Sequence, residues 1–509
     1  MRIRLLLCCC FGALPLRAET PLSAIDWLQS PAPVMVAPPE PEVVESPVAG
    51  GVVTPDVSVT AIEEASQQLS VGLLPSSVTG LPETLWSESG ADSLLAAIKR
   101  ADLREVLALQ KLFYTLMLAE AVPPDGLDAE DFLTARAGQL RHFGAIEAAE
   151  ALVARLPLAS PEHFALWFDL TLLAGLEDKA CVTLNAQRGL SSDYAAQIFC
   201  ALRGQDWDSA ALLFDTADAL GLLSTTEREL LLAFLDPDYA ETTQNLAPPR
   251  DISALEFRLY EAVGNPLPTA NLPIAYSVAD LRDLAGWKAQ IEAAERLVRN
   301  GALSANTLLG LYTERKPAAS GGVWERVRAV QNLEAALEAR APEALSQALI
   351  QAQREVAEYG LTPALAEIYA PELAEFELTQ RGDELRFMLT LMSDGYEGAR
   401  VEPAHVTAHS RFMQSLAAGA PEGASALNSP LAVAIEDGFG AARPDEVLTT
   451  MMAEGRLGEA ILLASAQMAS GLNGNTTALK SGIAAMRQMG LEDIVRRACL
   501  QMMYLKPRD

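Results

Sequence analysis

From Asp92 onward, apolar residues recur at spacings of three and four, and only one regular structure places such residues on a single face. Leu94, Leu95, Ile98, Leu103, Val106, Leu107, Leu109 and Leu112 form the first stripe, which predicts an amphipathic helical stretch over Asp92–Ala121. Ser160-Pro161-Glu162-His163 reads as a helix start, with an N-cap serine, proline at the first position and an acid in the first turn. Strand signals are sparse. Alanine and leucine dominate, β-branched runs are short, and no Asn-Gly or Asp-Gly turn joins two alternating segments. Asp125-Gly126 follows two prolines, between helices. The expected fold is all-α: short helices of about 10 to 20 residues, punctuated by Gly, Pro and Asn.

Several helices open alike, on a glycine followed by spaced alanines and leucines. Gly144 leads into Ala145–Leu152, and Gly204 leads through Trp207 into Ala210–Leu213. Gly286-Trp287 leads into Ile291–Leu297, and Gly455 into Glu459–Ala464. Small residues where helices cross, with large ones between, are how helical hairpins stack into a solenoid. These stretches resemble tetratricopeptide-like repeats, most closely in the Gly-x-x-x-x-Ala element at Gly455–Ala460. The four glycines are 60, 82 and 169 residues apart, whereas that family repeats every 34 or so. The likeness therefore implies a degenerate, irregular α-α solenoid of helical hairpins.

Ahead of the helices lies a segment of opposite character. From Ala18 to Ile98 there is no Lys or Arg, but there are eleven acids and ten prolines. Such a composition cannot offset its ordering entropy by burial, so a disordered acidic Pro-rich arm is expected. Two apolar islands interrupt it. Ile25, Trp27 and Leu28 form a candidate docking motif. The second, running through Leu73-Leu74, Leu81 and Leu85-Trp86, is expected to pack back onto the folded body.

The first residues read as a secretory signal. Arg2 and Arg4 precede the twelve apolar residues Leu5–Leu16, and Ala18 offers a small residue for cleavage. Twelve residues are too few for a membrane span, which needs about 20. No later segment is apolar for that length, so no transmembrane segment is expected after cleavage. The expected organisation is signal peptide 1–18, tether 19–90, helical section 91–245, Pro-rich break 246–273 and helical section 274–509. The combination of signal, acidic arm and helical hairpins is similar to a poorly characterised group of exported helical proteins of proteobacteria. That likeness implies a periplasmic location and suggests no reaction.

Cysteine usage agrees with export. Three of the six cysteines leave with the signal, so Cys181, Cys200 and Cys499 remain. The turn Gly189–Ser192 lies midway between the first two, and positions equidistant from the turn of a helical hairpin face each other. A Cys181–Cys200 disulfide is expected in an oxidising compartment. Cys499, within Ala498-Cys499-Leu500, reads as a buried thiol.

Net charge narrows the partners. With 67 acids against 38 bases, the formal charge is -29. No basic stripe exists to neutralise phosphates, so no nucleic-acid partner is expected, nor an anionic bilayer surface. No chemical motif is complete. His405 and His409 share the i, i+4 spacing of a helical zinc pair, with Glu402 nearby, but Val406 stands where a zinc protease needs glutamate. Gly438-Phe439-Gly440 lacks its third glycine. Glu88-Ser89 faintly resembles the Glu-Ser of lytic transglycosylases, without the element that should follow. Thr379 and Thr390 are an isolated pair and make no ice-binding face.

No enzyme, cofactor or metal is therefore expected. The reading is a periplasmic helical-repeat scaffold or adaptor that binds an unidentified protein partner. An envelope hydrolase such as a peptidoglycan-acting enzyme is one alternative. A periplasmic component of a motility or secretion machine is another. Trp167, Trp207, Trp287 and Trp324 are the candidate anchor aromatics.

Overall fold

The computed structural model describes residues 70–236, 239, 246–282, 284–401 and 403–505. The signal segment, the arm before residue 70 and its motif Ile25, Trp27 and Leu28 lie outside the described residues, as does Glu402. After a single turn at Ser76–Thr79, the helices begin with α1 (Ala91–Arg100), α2 (Leu107–Leu118), α3 (Ala129–His142), α4 (Ile146–Val153) and α5 (Pro161–Ala174). Next come α6 (Glu177–Ala186), α7 (Tyr194–Arg203), α8 (Trp207–Ala219), α9 (Thr225–Leu235) and α10 (Ala254–Ala262). The middle of the chain holds α11 (Trp287–Arg299), α12 (Ala305–Glu314), α13 (Val323–Ala339), α14 (Pro342–Ala357) and α15 (Thr362–Leu373). Then follow α16 (Gln380–Met392), α17 (Ala408–Ala417), α18 (Pro430–Phe439) and α19 (Glu446–Ala453). Three helices close the described chain: α20 (Leu457–Ser470), α21 (Thr476–Gln488) and α22 (Glu492–Leu505). Among the described residues the only β pairing is two isolated bridges, Val71 with Ala121 and Leu74 with Ala119.

Local chemistry sets the helix starts. Ser224 with Glu227, and Ser253 with Glu256, close reciprocal capping boxes on α9 and α10. Asp128, Asp193 and Asp445 accept from the first backbone N–H groups of α3, α7 and α19. Each such cap stabilises its helix by about 1 kcal/mol. Consecutive helices then pack as an irregular α-α array: α3 on α4, α6 on α7, α7 on α8, α13 on α14, α15 on α16 and α20 on α21. One close crossing uses a glycine. A Cβ on Gly482 of α21 would lie 2.6 Å from the Ala464 carbonyl oxygen of α20.

The first predicted helix is two. The Asp92–Ala121 stretch breaks between Arg100 and Leu107, and the connection turns Leu103 and Val106 into the core. The break lets α1 pack on α20 while α2 packs on α22.

The tether also ends earlier than the composition suggested. Leu73 and Leu74 donate to the Leu118 carbonyl, Leu85 and Trp86 are fully buried, and residues 70–90 belong to the body. The second apolar island packs back as expected, its Leu73-Leu74 part on the end of α2 and its Leu85-Trp86 part on α20. Leu85 accepts from the Gly458 N–H at 2.9 Å, and the Trp86 ring fills the space a side chain at 458 would need.

Burial divides the chain differently from proline content. One core joins residues between Leu81 and Ala279 to residues between Phe387 and Met503. A second core runs from Ile291 to Leu389. The Pro-rich stretch 246–273 is no break in packing, because α10 buries Leu255, Phe257, Leu259 and Tyr260 in the first core. Proline marks where a helix must stop, not where apolar surface stops being covered.

Candidate functional site

The Cys181–Cys200 disulfide is present, linking α6 to α7 across a Cα–Cα distance of 4.7 Å. The Asp193 cap and the short turn around Leu190 set the two helices in register. Asn185 adds a hydrogen bond to the Cys200 carbonyl at 2.8 Å. Cys499 is a buried free thiol, and desolvation pushes its pKa well above the ordinary thiol value. A thiol held protonated is a poor nucleophile.

The histidine pair does not share a helical face. Thr407 and Ser410 form a capping box that starts α17 at Ala408, so His405 sits in a separate turn before the helix and His409 in its first turn. Among the described residues no cluster of three His, Cys, Asp or Glu side chains could hold a metal ion. Gly438 lies inside α18, where a Cβ would meet Ile483 at 2.9 Å, so close packing of α18 on α21 accounts for it. Glu88 is exposed. The buried carboxylate reached from that segment is Glu459, paired with Arg456 at 2.8 Å. Burial pushes the Glu459 pKa up, but hydrogen bonds from Arg456 and Ser93 outweigh it and hold the group below its ordinary value. An acid catalyst needs the opposite shift.

Of the four candidate anchor aromatics, one faces solvent. Trp167 is buried, and Trp287 and Trp324 pack against each other with ring centroids 5.0 Å apart beside the second core. Trp207 is 52% exposed at the start of α8. On the same helix Leu212 is 69% exposed, and Leu220 and Leu222 follow it into solvent. α8 packs against α7 and α9, which cover its Ala210, Phe214 and Ala217 face. The uncovered side carries Asp208 and Asp215, and α8 contains no Lys or Arg. Exposed aromatic and leucine side chains flanked by carboxylates make an apolar, acidic ridge.

A cavity of about 830 Å³ opens where the two cores meet, between α14, α16, α17 and α22. Leu385, Met388, Met392, Met413 and Met503 supply much of its apolar lining. Arg354, Arg381, Arg386 and Arg400 line it against two acids, Asp383 and Glu384, so the local charge opposes that of the chain. His405 and His409 line it too. No sequence pattern brought these residues together; they come from four helices and a loop.

These features define an all-α protein of packed helical hairpins. No protein-family model matches the chain, and no curated protein or solved structure is similar to it.

Proposed function

We propose that this chain is an exported, periplasmic helical-repeat adaptor that binds another protein of the cell envelope. The α8 ridge carries the reading. Trp207, Leu212, Leu220 and Leu222 are large apolar side chains left in solvent on and just after one packed helix, and exposed apolar groups gathered in this way mark interaction surfaces. The carboxylates beside them favour a partner segment that interleaves Lys or Arg with apolar residues, through charge complementarity and steering. Export is supported by the signal-like first residues and by the disulfide. No helix among the described residues is long and apolar enough to cross a membrane. The tetratricopeptide-like element at Gly455–Ala460 is in keeping with a protein-binding role.

A photoreactive residue in place of Leu212 tests this in intact cells. The expected result is one discrete adduct whose crosslinked peptide carries basic and apolar residues at helical spacing. Adding Trp207→Asp should abolish the adduct. Absence of any adduct, or the same adduct from position 433 on α18, would overturn the reading.

A further inference from the structure

The cavity at the seam of the two cores has two properties that rarely coincide in so acidic a chain. Its lining is apolar and adaptable, because methionine is unbranched and fills irregular shapes. Its charged groups are mainly guanidiniums, and they differ in how far they are already neutralised. Arg386 is paired with Asp383 at 2.8 Å, and Arg354 with Glu355 at 3.1 Å. Arg400 donates to the backbone carbonyls of Glu397 and Ala399, both at 2.8 Å, and to no carboxylate among the described residues. Arg381 has no hydrogen-bond or ion-pair partner among them. Both side chains are exposed, at the mouth of the cavity.

A ligand that suits this arrangement has an anionic end and a flexible hydrocarbon body. A guanidinium takes a carboxylate through two parallel hydrogen bonds, which an ammonium cannot match. A volume of about 830 Å³ lies within the range that buries most of a small ligand. A neutral hydrocarbon would use the lining and leave the guanidiniums solvated. A small anion would use the guanidiniums and leave the lining wet.

We propose that this cavity binds a long-chain monocarboxylate, with its hydrocarbon on the methionine lining and its carboxylate met by Arg381 and Arg400. The site is separate from the α8 ridge and stands whether or not the adaptor reading does.

Calorimetric titration of the full mature chain with laurate, dodecanol and acetate is the test. Laurate should saturate at one per chain and bind at least about tenfold more tightly than dodecanol, while acetate shows no saturable binding. The double variant Arg381→Gln, Arg400→Gln changes exposed side chains and should weaken laurate by about tenfold or more. In methyl NMR, laurate should shift the Met388, Met413 and Met503 signals of the unaltered chain. Equal affinity for laurate and dodecanol, an unchanged affinity in the double variant, or shifts confined to other methionines would each overturn the proposal. So would the absence of laurate binding alongside a concentration-dependent dimer that the double variant abolishes, which would make a second copy of the chain the occupant.

Discussion

Trp86 occupies the volume that any side chain at position 458 would need: a Cβ there would stand 2.1 Å from the indole ring. Gly458 sits in α20 with ordinary helical backbone, so it is required for the approach of Trp86 and not for conformational freedom. Gly458→Ala should lower stability by about 1–3 kcal/mol through overpacking, seen as a lower denaturant midpoint. Gly310, in α12 with nothing within 4 Å of its would-be Cβ, makes the contrast. Gly310→Ala should instead raise stability by about 0.5–1 kcal/mol. Neither role was legible in the sequence, where both are small residues on a helix. The same holds for Arg136, which is fully buried and has no carboxylate partner among the described residues. It donates to the carbonyls of Met117 and Ala119 at 2.7 Å and of Val71 at 2.9 Å, closing the end of α2, and burial pushes its pKa down to about 9. Its neighbours in sequence mark it as an ordinary polar position.

Helix boundaries were more legible, because capping acts over three or four residues. The hairpin α6–α7 could be placed from its turn, and with it the facing cysteines. Replacing Cys181 and Cys200 together by serine should cost about 3 kcal/mol, the closure entropy of a loop spanning 19 residues. Chemical denaturation of the oxidised parent and the variant measures it. An unchanged midpoint would show that packing alone holds the hairpin. Since α8 leans on α7, crosslinking from position 212 should weaken in the same variant. The His405–His409 spacing shows the limit of such reading. An i, i+4 pair shares a face only inside one continuous helix, and here the N-cap Thr407 falls between the two residues.

The ends of the described chain meet. α22 packs on α2 and α20 on α1 and α2. The Gln501 side-chain oxygen accepts from the Ala108 N–H at 2.8 Å, serving as a distant cap for α2. A tie from α2 to the middle of the chain runs through Tyr114, whose hydroxyl donates to the Asn300 carbonyl at 2.8 Å and whose pKa burial pushes up to about 12. In a simple solenoid each repeat depends only on its neighbours, so loss of the last helix would be felt locally. Here, removal of residues 492–509 should speed amide hydrogen exchange across Leu109–Met117 by orders of magnitude, by uncovering α2. Exchange there equal to that of the full chain would show that α2 does not rely on α22.

The amino-acid sequence by itself determined the helical class, many of the helix starts and the cysteine pairing. Each rests on interactions within a turn or a hairpin, and residue spacing encodes those directly. Tertiary structure alone decided that Leu85 and Trp86 seat on α20, that one core draws on both ends of the described chain, and that four arginines and a methionine lining share a cavity. Those outcomes depend on which apolar faces cover one another at long range. A stripe on a helix specifies that it must be covered, but many partners satisfy that demand equally, and only the packed chain selects one.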